Sequence, residues 1–330
     1  MSGSRLKEYE ALRGLSIVLL LTLHSEIYDP GVFGEALKDI GVYVASFLLG
    51  SFFFLAGYFT EVSLGKPNAG LLRFAWSKFI RIYPPYWAAL ALFITVLGYT
   101  LKRADFAAYL LNMQVIFSPV FVKPLLTLWY ISMLVVFYVL FGLMLLSLRS
   151  SGQLAIGSTA VYILAFLVHT AWGFFDPRFF QYYFIFLAGV FFCRFEEVRE
   201  RLFDLKTPVK LLLAVAGVAL LQAALNSGSK VYGIYIPAVD FFTLSMILLS
   251  LTLFRTRMGD WRVWTWLSIA SYFTYLVHRP LWRLLDNSLG LETGLTTVLI
   301  HLIPGSILAL VLGYFLQRGY DRLLALLRLK

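Results

Sequence analysis

The chain has 330 residues, 60% of them apolar and 14% charged, with a formal net charge of +10. A soluble domain carries about 25% charged residues, so most of this surface must face hydrocarbon. The apolar runs are continuous and about 20 residues long, as bilayer-crossing helices require, which excludes a barrel of short alternating strands.

In chain order the pattern predicts an all-α, polytopic membrane bundle of about ten transmembrane helices, forming a single domain over 1–330. The spans fall near 12–28, 37–60, 82–100, 125–148, 153–171, 179–195, 209–225, 235–254, 263–283 and 294–316. The first reads as a retained helix and not a cleaved signal: Arg13 opens it, His24 interrupts it, and no small-residue cleavage site follows. Twenty of the 28 Lys and Arg lie within 5–13, 66–81, 194–210, 255–262, 318–330 or at Arg149. Those segments share one side of the ten-span arrangement, so the positive-inside rule sets both ends in the cytoplasm. Bases placed this way mark membrane topology, not a nucleic-acid-binding stripe.

Residues 101–124 form the longest external segment, and the stretch from Tyr109 to Val122 is too short to span, so it is expected to be interfacial or re-entrant. The closing GYDRLLALLRLK reads as an amphipathic anchor at the headgroups. Cys193 is the only cysteine, which rules out an intrachain disulfide and a cysteine zinc site.

Polar groups inside hydrocarbon cost several kcal/mol unless they are paired or face a cavity. The first helix carries Glu10, Arg13 and His24. Arg13 and His24 are three helical turns apart, hence on one face and separated by about 16 Å, and Glu10 can pair with Arg13 from the preceding turn. The ninth helix carries Ser271, Tyr275, His278 and Trp282 as another stripe. Counted from Trp264, His278 lies about 20 Å in, level with His24, so the two imidazoles are expected to share a cavity. A band of Tyr and His that only ties helices together is the competing reading. His169 and His301 lie near external helix ends without polar neighbours in sequence and read as interfacial.

A third feature is the loop from Arg73 to Arg81, with Lys78, which Pro84 and Pro85 then turn into the third span. Clustered guanidinium and ammonium groups suit phosphates, although ordinary positive-inside charge accounts for the cluster equally well.

These residues resemble the membrane acyltransferase-3 family, whose members acylate cell-surface glycans and related molecules. EALRGLSIVLLLTLH, from Glu10 to His24, is similar to the family's acidic-x-x-Arg-Gly opening with its basic residue and following His. GSFFFLAGYF, KFIRIYPPYW, LWYISMLVVFY and SYFTYLVHRPLW resemble further elements of the family, in order up to Trp282. Glu10 stands where Asp is frequent, Lys78 where an Arg is, and Ala56 where Ser is. The Glu that many relatives carry before the Phe137–Tyr138 pair is absent, and transfer is expected to proceed without a fused extracellular esterase-like domain.

The resemblance implies an acyltransferase, with acetyl the expected group, taking its acyl group from cytoplasmic acyl-CoA without a metal. The acceptor is a hydroxyl of a surface glycan or lipid-linked saccharide, and the site is a multi-pass protein in the plasma (inner) membrane of a prokaryote. Arg13, Arg73, Lys78 and Arg81 are expected to hold the CoA phosphates. His24 is expected to act as general base or acyl carrier, and Tyr275 and His278 to steady the oxyanion or the acceptor. A transporter or flippase of a saccharide or anionic lipid is the alternative that central polar groups also allow.

Overall fold

A computed structural model of the chain describes residues 6–29, 38–65, 70–103, 105–148, 150–227, 232–292 and 294–329. Arg5, Lys66, Arg149 and Lys330, which enter the orientation count, lie outside the described residues. Among those described there are helices and no strand. They are α1 (Lys7–His24), α2 (Lys38–Leu64), α3 (Leu71–Thr95), α4 (Phe106–Leu110), α5 (Gln114–Phe117), α6 (Trp129–Ser147) and α7 (Ser151–Trp172). There follow α8 (Pro177–Arg194), α9 (Glu196–Asp204), α10 (Thr207–Asn226), α11 (Tyr232–Phe254), α12 (Arg262–Leu289), α13 (Leu295–Ile300) and α14 (Ser306–Leu326). A 3₁₀ turn, Arg257–Asp260, precedes α12, and a π turn, His301–Gly305, joins α13 to α14.

Among the described residues six helices are long and apolar enough to cross a bilayer: Asp39–Leu64, Trp129–Ser147, Ser151–Trp172, Thr207–Asn226, Gly233–Phe254 and Leu295–Leu326. A seventh arises if Pro177–Arg194 and Glu196–Asp204, bent by 97° at their junction, count as one span. The protein is therefore an integral membrane protein. The remaining long helices, α1, α3 and α12, carry Arg13 and His24, Arg73 and Arg81, and His278 and Arg279. These charged and imidazole groups lower the hydropathy of the helices that carry them, and an expectation of ten spans depends on counting those helices.

The chain folds as two compact units and passes between them within α2, at the end of α3, shortly after it and within α9. One unit takes residues 1–52, 95–98 and 200–330; the other takes 53–94 and 99–199.

In the first unit α1 packs on α11 and α12, and α12 on α14. Ionic contacts gather where α1 begins: Lys7 Nζ lies 2.7 Å from Asp260 Oδ1, and Arg255 lies 3.8 Å from Glu8 and 3.0 Å from Glu200. The helix ends at His24, earlier than the span at 12–28 anticipates. Its end turns through Glu26, whose φ of 68° is left-handed and incompatible with continued helix.

The second unit has an aromatic interior. Phe53, Phe137, Phe141, Tyr183 and Phe186 are buried, with Phe141 stacked on Phe186 at 4.6 Å and Phe53 on Tyr182 at 4.8 Å. Two glycines let α2 and α8 approach until backbones touch. A Cβ at Gly57 would strike the carbonyl of Phe186, and one at Gly189 that of Phe54. Small residues serve the same purpose wherever membrane helices pack closely.

The structure corrects the reading of 73–81 as a loop. These residues are the first turns of α3, which runs on through Pro84 and Pro85. Two prolines remove two backbone donors from the helix ladder. The neighbouring side chains fasten this stretch: Tyr83 donates to the carbonyl of Leu111 at 2.9 Å, Tyr86 to Tyr109 at 2.6 Å and Trp87 to Leu110 at 2.9 Å. Those carbonyls belong to the end of α4 and the residue after it, which lie beside the middle of α3 and not beyond its end. Irregular backbone is tolerated at such depth where protein groups satisfy it. Near the end of the chain, α14 runs unbroken to Leu326, so the leucine-rich tail continues a helix instead of forming a separate one.

Candidate active site

Side-chain hydrogen bonds tie α1 to α12 at two levels. Near the start of both helices the Thr265 hydroxyl donates to Glu10 Oε2 at 2.7 Å. Further along, His24 Nδ1 lies 2.8 Å from His278 Nε2. From Glu10 to His24 is 14 residues and from Thr265 to His278 is 13, about 20 Å of helical rise in each case. The helices therefore run parallel in matching register, which is why the two imidazoles meet. Gly14 permits the close approach, because a Cβ there would lie 3.1 Å from Leu267 Cβ and 3.2 Å from the Trp264 carbonyl.

The hydrogen bonds assign the protons of this pair. His278 is fully buried, and its Nδ1 lies 3.1 Å from the carbonyl of Thr274 and 2.9 Å from that of Tyr275. Carbonyl oxygens only accept, so Nδ1 carries the hydrogen and Nε2 of a neutral ring keeps its lone pair. That lone pair requires a donor, which is the Nδ1–H of His24. The Nε2 of His24 is then left with a lone pair of its own. The rings lie 5.0 Å apart and nearly parallel, at 6°. A backbone-anchored imidazole orienting a second one follows the logic by which a carboxylate orients a catalytic His.

Of the other predicted residues in this unit, Tyr275 is buried, gives its carbonyl to His278 and holds its ring 6.3 Å away. Ser271 spends its hydroxyl on the carbonyl of Ser268. Arg13 is half-buried on α1, one turn beyond Glu10. In the second unit Arg73 and Arg81 are exposed on α3, whereas Lys78 is half-buried with its ammonium 4.0 Å from the centre of the Tyr138 ring. His169 caps α7 locally, its Nδ1 2.8 Å from the carbonyl of Phe174. Among the described residues no three His, Cys, Asp or Glu form a metal-binding group.

His301 departs from its sequence reading. Its Nε2 lies 2.8 Å from Asp286 Oδ1, and its ring stacks on Trp282 at 4.7 Å and 6°. Trp282 in turn meets His278 edge to face at 5.3 Å. Asp286 extends the stripe of Tyr275, His278 and Trp282 by one more turn, and that spacing is the signal from which it could have been found. Asp240 also escaped notice, a carboxyl in the middle of α11 whose Oδ1 is buried without a hydrogen-bond partner.

Ionisable side chains paired between two helices of a membrane protein mark a candidate functional site. The sequence model of the acyltransferase-3 family, described as an acyltransferase domain, matches residues 6–318 and so runs through both units. The chain belongs to that family and is a membrane acyltransferase. No curated protein and no solved structure gives a match.

Proposed function

We propose that the protein is an O-acyltransferase that takes an acyl group, most simply acetyl, from cytoplasmic acyl-CoA to a hydroxyl of a surface or lipid-linked saccharide. The observation that carries this reading is the His24–His278 hydrogen bond, with His278 Nδ1 held by two carbonyls. It leaves His24 Nε2 as an oriented base. In the reaction the acceptor oxygen bonds to the thioester carbonyl carbon while its proton passes to His24 Nε2. The carbon–sulfur bond then breaks, and the proton returns from the imidazolium to sulfur, releasing CoA thiol. His278 Nε2 accepts the Nδ1–H throughout and stabilises the transient positive charge.

Arg13 is proposed as a phosphate contact for CoA, as are Arg73, Lys78 and Arg81 of the other unit. The support for these four is their charge and the family resemblance. Both chain ends are proposed to be cytoplasmic, on the distribution of Lys and Arg.

Purified protein in lipid vesicles, given labelled acetyl-CoA and a panel of glycosides, tests the function. Label is expected on the glycoside, with stoichiometric release of CoA. Glycoside crossing the vesicle membrane without acquiring label would show a transporter instead.

A further inference from the structure

We propose that His301 and Asp286 form the subsite that binds the hydroxyl-bearing acceptor, distinct from the His24–His278 pair. The proposal rests on the acyltransferase reading above and names the residues that would meet its second substrate.

A carboxylate accepts hydrogen bonds, so the 2.8 Å contact between Asp286 Oδ1 and His301 Nε2 places the ring hydrogen on Nε2. Two acceptors remain, the lone pair on His301 Nδ1 and the second oxygen of Asp286. Neither side chain is sealed inside the protein, since 13% of His301 and 17% of Asp286 stays exposed. Two oriented acceptors, one of them a carboxylate oxygen, suit adjacent hydroxyl groups, each of which donates a hydrogen. The same negative charge is unfavourable for the phosphates of CoA, so this chemistry selects the acceptor and not the donor.

The local backbone explains how His301 is presented. Pro304 has no N–H to return to the carbonyl four residues earlier, and the helix widens into a π turn over His301–Gly305. The Ser306 hydroxyl donates to the carbonyl of His301 at 2.8 Å and secures the widened turn. Gly305 leaves room for Trp282, whose indole nitrogen would lie 2.9 Å from a Cβ at that position. Trp282 can thus lie flat against His301 on one side and meet His278 with its edge on the other. One indole separates the open dyad from the imidazole pair. Asp286 lies eight residues beyond His278 on α12, about 12 Å of rise away from the end that carries Arg262. In the N-in topology proposed above, this is the external side, from which a surface saccharide arrives.

The competing role for the pair is a clamp that only joins α12 to the π turn. Octyl β-glucoside, below its micelle-forming concentration, is a suitable acceptor probe, and diethyl pyrocarbonate reports an imidazole lone pair by carbethoxylation. We expect His301 to be carbethoxylated in the intact protein, with saturating glucoside slowing that reaction about tenfold or more. Asp286→Asn should abolish the protection. In the transfer assay, His301→Gln and Asp286→Asn should each raise the KM for the glucoside about tenfold, the scale of one lost charge-assisted hydrogen bond, with the KM for acetyl-CoA unmoved. Equal labelling of His301 with and without glucoside overturns the subsite, as does a parallel change in both KM values with a lowered melting temperature. Wild-type protein that protects His301 but transfers no acetyl keeps the subsite and sinks the acetyltransferase reading. Transfer to the glucoside with His301 unprotected does the reverse.

Discussion

The two units are built from the same kind of helix and hold together by different means. In the second unit, Phe137 and Phe186 lie among other aromatic rings, and Gly57 and Gly189 let α2 and α8 close on one another. In the first, contacts between α1 and α12 include a carboxylate–hydroxyl bond at one level and an imidazole pair about 20 Å further along. Lipid tails are as apolar as a helix face, so helix association in a membrane depends on close packing and on hydrogen bonds. Both units use both, but in the second the side-chain hydrogen bonds of Tyr83, Tyr86 and Trp87 go to backbone carbonyls, whereas in the first they link ionisable side chains to side chains of another helix. Polar contacts are the costlier choice in hydrocarbon, and here they coincide with the residues suited to chemistry.

The strongest way to break this comparison is to open the aromatic interior. Phe186→Ala should destabilise the protein by about 3–5 kcal/mol, because both the ring's transfer energy and the cavity count against it. Unfolding in graded denaturing detergent would measure the loss, and a change well under 1 kcal/mol would mean that the ring cluster is not what holds this unit. His24→Gln should do the opposite. Glutamine keeps one hydrogen bond and similar bulk but cannot take a proton near neutral pH. Acyl transfer should fall about 10²-fold or more, with expression and melting temperature close to wild type. Near-normal turnover would remove the case for chemistry at α1.

A smaller effect sharpens the comparison within the first unit. His278→Leu removes the acceptor for His24 Nδ1–H, so the His24 ring loses its assigned tautomer. Transfer should drop about tenfold, in line with losing a partner that orients a reactive His. The nitrogen-15 resonances of His24 should move from a single Nδ1–H form towards a mixture of tautomers. A spectrum that stays the same would show that His278 does not set the proton position.

The smallest effect lies outside the spans, at the start of α8. Asp176 is buried, which raises its pKa. Arg178, hydrogen-bonded at 2.6 Å and 2.7 Å and charged, outweighs this together with the Ser118 hydroxyl and holds the carboxyl below the usual range. A lowered folded-state pKa means stability that is complete above the ordinary carboxylate pKa and lost as pH falls through the depressed value. Asp176→Asn should therefore cost about 1–2 kcal/mol at pH 7, the scale of a partly exposed charged hydrogen bond. The difference from wild type should shrink in melts taken below about pH 4.

What the sequence determined by itself is local. A run of about 20 apolar residues must cross or lie in a bilayer wherever the rest of the chain goes, so the helical class and the membrane setting were legible. Helical rise is equally local: counting residues placed His24 and His278 at one level, and they meet at 2.8 Å. The start of α3 was not legible. Pro84 and Pro85 look like a helix entry in one dimension, and only hydrogen bonds from Tyr83, Tyr86 and Trp87 to a distant segment show why the helix continues through them. His301 looked isolated because its carboxylate partner is 15 residues earlier, on the preceding long helix, and because the π turn around Pro304 sets how the ring is presented. The proton positions were the least accessible of all. Which nitrogen of His24 keeps its lone pair depends on two carbonyls that face His278 on another helix, and hydrogen-bond direction between helices exists only once the tertiary structure has brought them together.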